Sequence, residues 1–289
     1  MSADRKPLTR AEVEALYAER GTLAGADLVR ADLRDIHLIE ADLSGADLTR
    51  ADLTDAHLFG ANLQGADLFK ANLEGANLNG ADLRQCNLLA TVFRNTKLSN
   101  VVLDPGFMVV NEQAAIDALR RGDRETAHDK YLEARDVYRS LKLALDKQIS
   151  SKDVGMLFVR EMSVNRKLMP RYSLQRLLSK FLHVSLGYGE QIGRIIGSIF
   201  VMMIASALVF GVEGVRYGDQ VLRFGSEAGL WATFGNLLYF SVVVFTTVGF
   251  GDITPFGPLG KITVIIEGIG GTIYIAILVI AIYKRSMTR

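Results

Sequence analysis

Leucine recurs at every fifth position from Leu23 to Leu88, and Phe93, Leu98 and Leu103 continue the register. Two residues before most of these centres stands alanine, as at Ala26, Ala31, Ala41 and on to Ala81, usually with Asp or Asn between. A period of five matches neither the 3.6 of a helix nor the 2 of a strand, so residues 21–105 read as an internal-repeat domain. After Pro105-Gly106 the pattern turns helical. A short helix is expected over Ala114–Arg121, ended by Gly122. Asp123 then N-caps a longer one to about Ile149, with Leu132, Val137, Leu141, Leu145, Tyr131 and Tyr138 on one side. A third runs Val154–Leu168 and stops at Pro170. Over residues 172–186 the apolar positions Leu174, Leu177, Leu178, Phe181 and Leu182 share a face with bases beside it, which suits a helix lying in a membrane interface.

The last third is different again. Ile195–Val212 is an uncharged run whose helical rise is roughly 27 Å, close to the hydrocarbon thickness of a bilayer. Ile262–Tyr283 is a second such run, interrupted only by Glu267. Between them lies Leu230–Phe245, apolar but too short to cross. Composition follows the same split: residues 191–289 carry only 5 acids and 7 bases, although 22% of the whole chain is charged. The mean hydropathy of +0.19 is therefore an average over a soluble part and a membrane part. Four segments are expected: an N-terminal cap helix over 1–20, the repeats over 21–105, a helical linker over 106–190, and a two-span domain over 191–289. One cysteine excludes a disulfide framework.

Orientation comes from the bases. Seven bases against two acids lie between Lys152 and Lys180, and Lys284, Arg285 and Arg289 follow the second run, whereas the intervening loop is mixed (Glu213, Arg216, Asp219, Arg223, Glu227). The positive-inside rule puts both termini in the cytoplasm of a multi-pass inner (plasma) membrane protein. The N-terminus has no apolar run of signal-peptide type. Anionic inner-leaflet lipid is the expected partner of residues 152–186.

The A-(D/N)-L-x-x units resemble the pentapeptide-repeat family over some seventeen consecutive copies. That resemblance implies a right-handed quadrilateral β-helix with four units per coil, small and Leu positions inward. Positions twenty apart then stack. His37 falls over His57, a candidate pH or metal ladder set against a plain solvated one. Val29, Thr49, Phe69 and Leu89 form a partly apolar outward stripe, and Ile39 and Phe59 another, for an unidentified cytoplasmic partner. Some rods of this family mimic DNA. Here the net charge of −4 over residues 21–103 is interrupted by Arg30, Arg34, Arg50 and Lys70, so no nucleic-acid partner or mimicry is expected.

Directly after Leu230–Phe245 comes Thr246-Thr247-Val248-Gly249-Phe250-Gly251-Asp252, which resembles the potassium-channel signature with Phe250 in place of Tyr. The resemblance implies an all-α two-span pore with a re-entrant pore helix over residues 190–285, assembled as a homotetramer. It assigns potassium coordination to the backbone carbonyls of Thr247, Val248, Gly249 and Phe250, and dihedral freedom to Gly249 and Gly251. Ser241, Thr246, Asp252 and Glu267 are candidate supports, Gly268 and Gly271 candidate hinge or close-packing positions, and Ile277, Ile280 and Lys284 a candidate inner constriction. No Walker loop, dinucleotide fingerprint or catalytic triad appears, so neither an enzyme nor a cofactor is expected beyond potassium as permeant ion. The leading expectation is a potassium-selective channel modulated by the repeat rod; the alternatives are a membrane-anchored interaction scaffold and a non-selective cation channel.

Overall fold

The computed structural model describes residues 6–145, 151–226 and 229–286. Ile149, Glu227 and Arg289 lie outside them. Two compact units emerge, Met1–Ser179 and Lys180–Arg289.

The first unit begins with α1, Arg10–Arg20, opened by a reciprocal capping box between Thr9 and Glu12 and closed by Gly21 in the left-handed region. Then the chain coils. Parallel bridges join residues twenty apart, from Asp27↔Asp47 through Asp82↔Val102, so four five-residue units make one turn. The Ala and Leu positions are buried throughout. The Asp/Asn position holds the backbone: Asp42, Asp47 and Asp82 each accept the N–H two residues on at 3.0 Å. These are Asx turns. Where amide stacks over acid, the column gains a bond as well, as from Asn62 Nδ2 to Asp42 Oδ1 at 3.0 Å and from Asn87 Nδ2 to Asp67 Oδ1 at 3.0 Å. Every fifth residue from Gly25 to Asn100 turns the corner with positive φ. Gly fills some of these corners, but Arg30, Glu40, Arg50, Lys70, Gln85 and Ala90 hold the same left-handed backbone despite their Cβ.

Three helices, α2 (Val110–Arg120), α3 (Arg124–Leu145) and α4 (Ser151–Leu168), extend the rod's core, since Ala115, Tyr131, Tyr138, Leu141 and Leu157 join the same apolar cluster as the Leu ladder. Helix α2 starts at Val110, earlier than Ala114, because Val109 is extended and the turn after it is already helical. Helix α4 starts at Ser151 rather than Val154. Asp123 caps α3 through Thr126 N–H at 3.0 Å. Leu132 is only half-buried; Ala134 takes the inner position with Val137 and Tyr138. Glu112 and Glu161 are both 2% exposed among these helices. Glu112 accepts from the Tyr138 hydroxyl at 2.6 Å and pairs with Lys167 at 3.0 Å and Arg160 at 3.6 Å. Glu161 pairs with Lys142 at 2.6 Å and Arg139 at 3.6 Å. Burial, and then the adjoining Glu112 charge, push the Tyr138 phenol upward.

Helix α5 (Leu174–Leu186) begins after Ser173, whose Oγ accepts Arg176 N–H at 3.2 Å, two residues later than Tyr172. The second unit continues with α6 (Ile192–Glu213), the hairpin β1 (Val215–Tyr217) and β2 (Gln220–Leu222), α7 (Leu230–Phe245), β3 (Ile253–Pro255) and α8 (Pro258–Ser286). Helices α6 and α8 are long and apolar enough to cross a membrane, and α7 is a shorter apolar helix. The strands form one antiparallel sheet in the order β2-β1-β3.

Candidate functional site

Helix α7 ends in a Schellman cap around Thr247: Thr246 N–H still reaches Val242 O at 2.9 Å, Thr247 N–H reaches Val244 O at 3.0 Å and Val248 N–H reaches back to Val243 O at 3.1 Å. The backbone then alternates. Thr247, Gly249 and Gly251 have φ of +58°, +60° and +78°, whereas Val248 and Phe250 between them do not enter that region. Such alternation turns successive carbonyls to one side of the segment. Glycine takes the left-handed region freely, but Thr247 is β-branched and holds it at a cost of about 1–3 kcal/mol. Its Oγ1 donates to Thr246 O at 2.7 Å, and the Thr246 Oγ1 donates to Val242 O at 2.7 Å. Residues 246–252 are all exposed on the single chain.

Behind this segment the helices meet at buried polar groups. Ser241 of α7 and Glu267 of α8 are both 0% exposed, and the Ser241 hydroxyl lies against the Glu267 carboxyl and 3.0 Å from Met203 O of α6. Ser206 of α6, also buried, stands beside Glu267. Gly271 sits directly on the Phe245 carbonyl, so that a Cβ there would collide with it, and a Cβ on Gly268 would stand 4.0 Å from Val244 O. Helix α8 runs unbroken through both. At the other end of the segment the Tyr239 hydroxyl faces the Asp252 carboxylate closely enough to interact with it. Strand β3 follows at once and pairs Tyr217↔Ile253 and Val215↔Pro255, which holds the exit of the segment. Glu213, at the end of α6, accepts from Leu259 N–H at 3.2 Å and from Gly260 N–H, and so caps α8.

The other candidates are scattered. Ile277 packs into a cluster with Leu186, Ile195, Tyr274 and Ala281, whereas Ile280 is 57% exposed. Lys284 pairs with Glu190 at 2.9 Å. In the first unit His37 and His57 stack with centroids 4.3 Å apart and planes at 21°. Among the described residues no group of three or more His, Cys, Asp or Glu could hold a metal ion. Sequence reasoning missed three features. The approach of Tyr239 to Asp252 has no sign in the spacing of the two residues. The left-handed Thr247 had no signal, because β-branching argues against it. The Glu112 and Glu161 clusters were hidden because charged residues are ordinarily exposed.

Residues 26–65, 36–75 and 66–104 match the family described as pentapeptide repeats, and residues 198–286 match the family described as ion channel. The chain joins a pentapeptide-repeat domain to an ion-channel domain. Among solved structures the repeat domain is similar to a pentapeptide repeat protein (Rfr23) from the cyanobacterium Cyanothece 51142. That match has 44% identity over 27% of this chain and 53% of the other, with a TM-score of 0.27. A pentapeptide repeat protein from Nostoc PCC 7120 matches at 30% identity over 35% of this chain and all of the other, with a TM-score of 0.21. One from the Arabidopsis thaliana thylakoid lumen matches at 29% identity over 29% and 59%, with a TM-score of 0.16. The chain thus spans about half the length of the first of these relatives. No curated protein matches it. The ion-channel domain and its two apolar helices make this a membrane protein.

Proposed function

We propose that the protein is a homotetrameric channel that conducts potassium selectively across a prokaryotic inner (plasma) membrane, with both termini cytoplasmic and the repeat rod as modulator. One observation carries this reading: φ is left-handed at Thr247, Gly249 and Gly251, in a Thr-Val-Gly-Phe-Gly run between a short apolar helix and the second span. A potassium ion sheds its hydration shell only where rings of oxygen replace it. The carbonyls of Thr247, Val248, Gly249 and Phe250 supply one quarter of each ring, so four chains close the pore. The C-terminal end of α7 points its partial negative charge toward the entry of these ions. Irregular backbone at this depth is tolerated where it lines water and is enclosed by protein.

The supports follow from the geometry. Ser241, Glu267 and Gly271 set how closely α8 approaches the end of α7, and Thr246 ties the filter's start to the helix. Asp252, facing Tyr239, anchors its outer end. Phe250 has no hydroxyl to bind the pore helix, so the filter keeps its selectivity but loses one source of rigidity. Gly268 and Gly271 serve as hinge, and Ile277, Ile280 and Lys284 bound the inner mouth. The bases of residues 152–186 face anionic lipid. Reconstitution with potassium on one side and sodium on the other tests the reading: the current should reverse near the potassium equilibrium potential.

A second reading is supported by Ile39 and Phe59, which stack on one face of the rod and are 53% and 47% exposed. That pair suits a docking surface, with the pore as anchor. Removing residues 1–105 separates the two readings: altered gating supports modulation, and unchanged gating supports docking alone.

A further inference from the structure

The second unit carries an apolar groove of about 940 Å³, which reaches Ile277 and the α5–α6 junction. Its walls come from three helices: Phe181 and Val184 of α5, Gly197 and Val201 of α6, and Gly270 and Ile273 of α8. Gly197 leaves the space open, since nothing stands within 4 Å of a Cβ built there, whereas Gly270 is packed against the Met202 side chain. Lining residues extend along α6 from Arg194 to Val209. That is a helical rise of roughly 22 Å, more than the ~15 Å hydrocarbon depth of one leaflet.

One end of the groove is charged. Arg194, in the first turn of α6, is the charged residue among those lining it, and no acid lines it. Its Nη1 donates to the His183 carbonyl at 3.0 Å, which fixes the guanidinium at the junction of α5 and α6. A guanidinium has five N–H donors, so it can take up a phosphate while keeping that bond. Ser198 stands beside it on the same wall.

We propose that this groove holds one acyl chain of an anionic phospholipid, with the lipid phosphate on Arg194. The proposal rests on the reading that α6 and α8 cross the membrane with α5 at its inner face. An apolar trough with a cation at its interfacial end and no acid is complementary to such a lipid at both ends. A zwitterionic lipid gains the same apolar burial, but its own cationic group opposes Arg194.

Native mass spectrometry of the full-length protein, titrated with phosphatidylglycerol or phosphatidylcholine, tests this without measuring current. Bilayer insertion is scored first, so failure to insert is separated from insertion without lipid preference. Wild type should bind phosphatidylglycerol about tenfold more tightly, the scale of one charge-assisted bond. Arg194→Gln should bind both lipids equally, and Arg194→Lys should keep most of the preference. Val201→Trp should weaken both. Equal binding by wild type overturns the proposal, as does a preference that survives Arg194→Gln. If Val201→Trp changes neither affinity, the groove is covered by a neighbouring helix and the proposal is wrong.

Discussion

The Ser241 hydroxyl and the Glu267 carboxyl meet in the interior of the channel domain, where neither residue is exposed. Ser241 belongs to the short helix that ends at the proposed filter, and Glu267 to the second apolar helix. Their contact, with Ser206 of the first span beside it, joins all three helices at one point. Replacing Glu267 by Ala leaves the Ser241 hydroxyl with Met203 O alone and opens a buried void, at a cost of about 1–3 kcal/mol per subunit. Replacing it by Gln keeps shape and an acceptor. Thermal unfolding of the detergent-solubilised protein should show Glu267→Ala clearly destabilised and Glu267→Gln near wild type. Equal loss in both variants would sink this account of the contact.

Gly271 and Gly268 offer a matched pair. A methyl at Gly271 meets the Phe245 carbonyl at the end of α7, whereas one at Gly268 makes an ordinary contact with Val244 O at 4.0 Å. Overpacking typically costs about 1–3 kcal/mol. Gly271→Ala should lower stability and conductance together, whereas Gly268→Ala should leave stability near wild type. Single-channel recording beside thermal melts checks this; equal tolerance at the two sites contradicts it.

Acid should attack the rod through its Asx turns. Hydrogen bonds from Ser44 hold the Asp42 carboxyl below its ordinary value, and the Arg84 guanidinium does the same for Asp82. A group whose folded pKa is depressed adds stability above its unfolded pKa, which is lost as pH falls through the folded value. Rod stability should therefore hold at neutral pH and fall below about pH 4, where unfolded carboxylates begin to protonate. Hydrogen-exchange protection of residues 42–85 across this range reads it out, and protection that does not fall there contradicts the assignment.

Cys86 fills an inward position of the rod and donates its Sγ–H to Leu63 O at 3.0 Å. Burial pushes its thiol up to about 12. At pH 8 the thiolate fraction is then roughly three orders of magnitude below that of a free cysteine. Disulfide-exchange reagents should label it only as fast as the rod opens. Immediate labelling of the native protein would show that the thiol is not enclosed.

Much of this fold can be read from residue order, for reasons that differ by region. The Leu ladder is legible because one inward residue per five leaves no competing period, and the bridges at twenty-residue spacing bear that out. The rod's corners are not legible: Arg30, Lys70 and Gln85 share with Gly25 a backbone that ordinary propensity assigns to glycine. The ladder's hydrogen bonds hold those residues there. The two spans and the short helix stand out by length and lack of charge. Glu112 and Glu161 do not, since only the folded helices bring Lys167 and Lys142 to them. At the filter, Gly249 and Gly251 announce their dihedrals in the sequence, whereas Thr247 takes the same region only because α7 ends against it. The β1–β2 hairpin has no strong alternation, and its partner β3 lies beyond the filter, so pairing becomes visible only in three dimensions.

The central claim is selective conduction through carbonyl rings built on Thr247, Val248, Gly249 and Phe250. Bi-ionic reversal-potential recording of the reconstituted full-length protein tests it most directly. The account predicts reversal close to the potassium equilibrium potential when sodium replaces potassium on one side. Reversal near zero under the same conditions, with comparable sodium and potassium permeability, would contradict it.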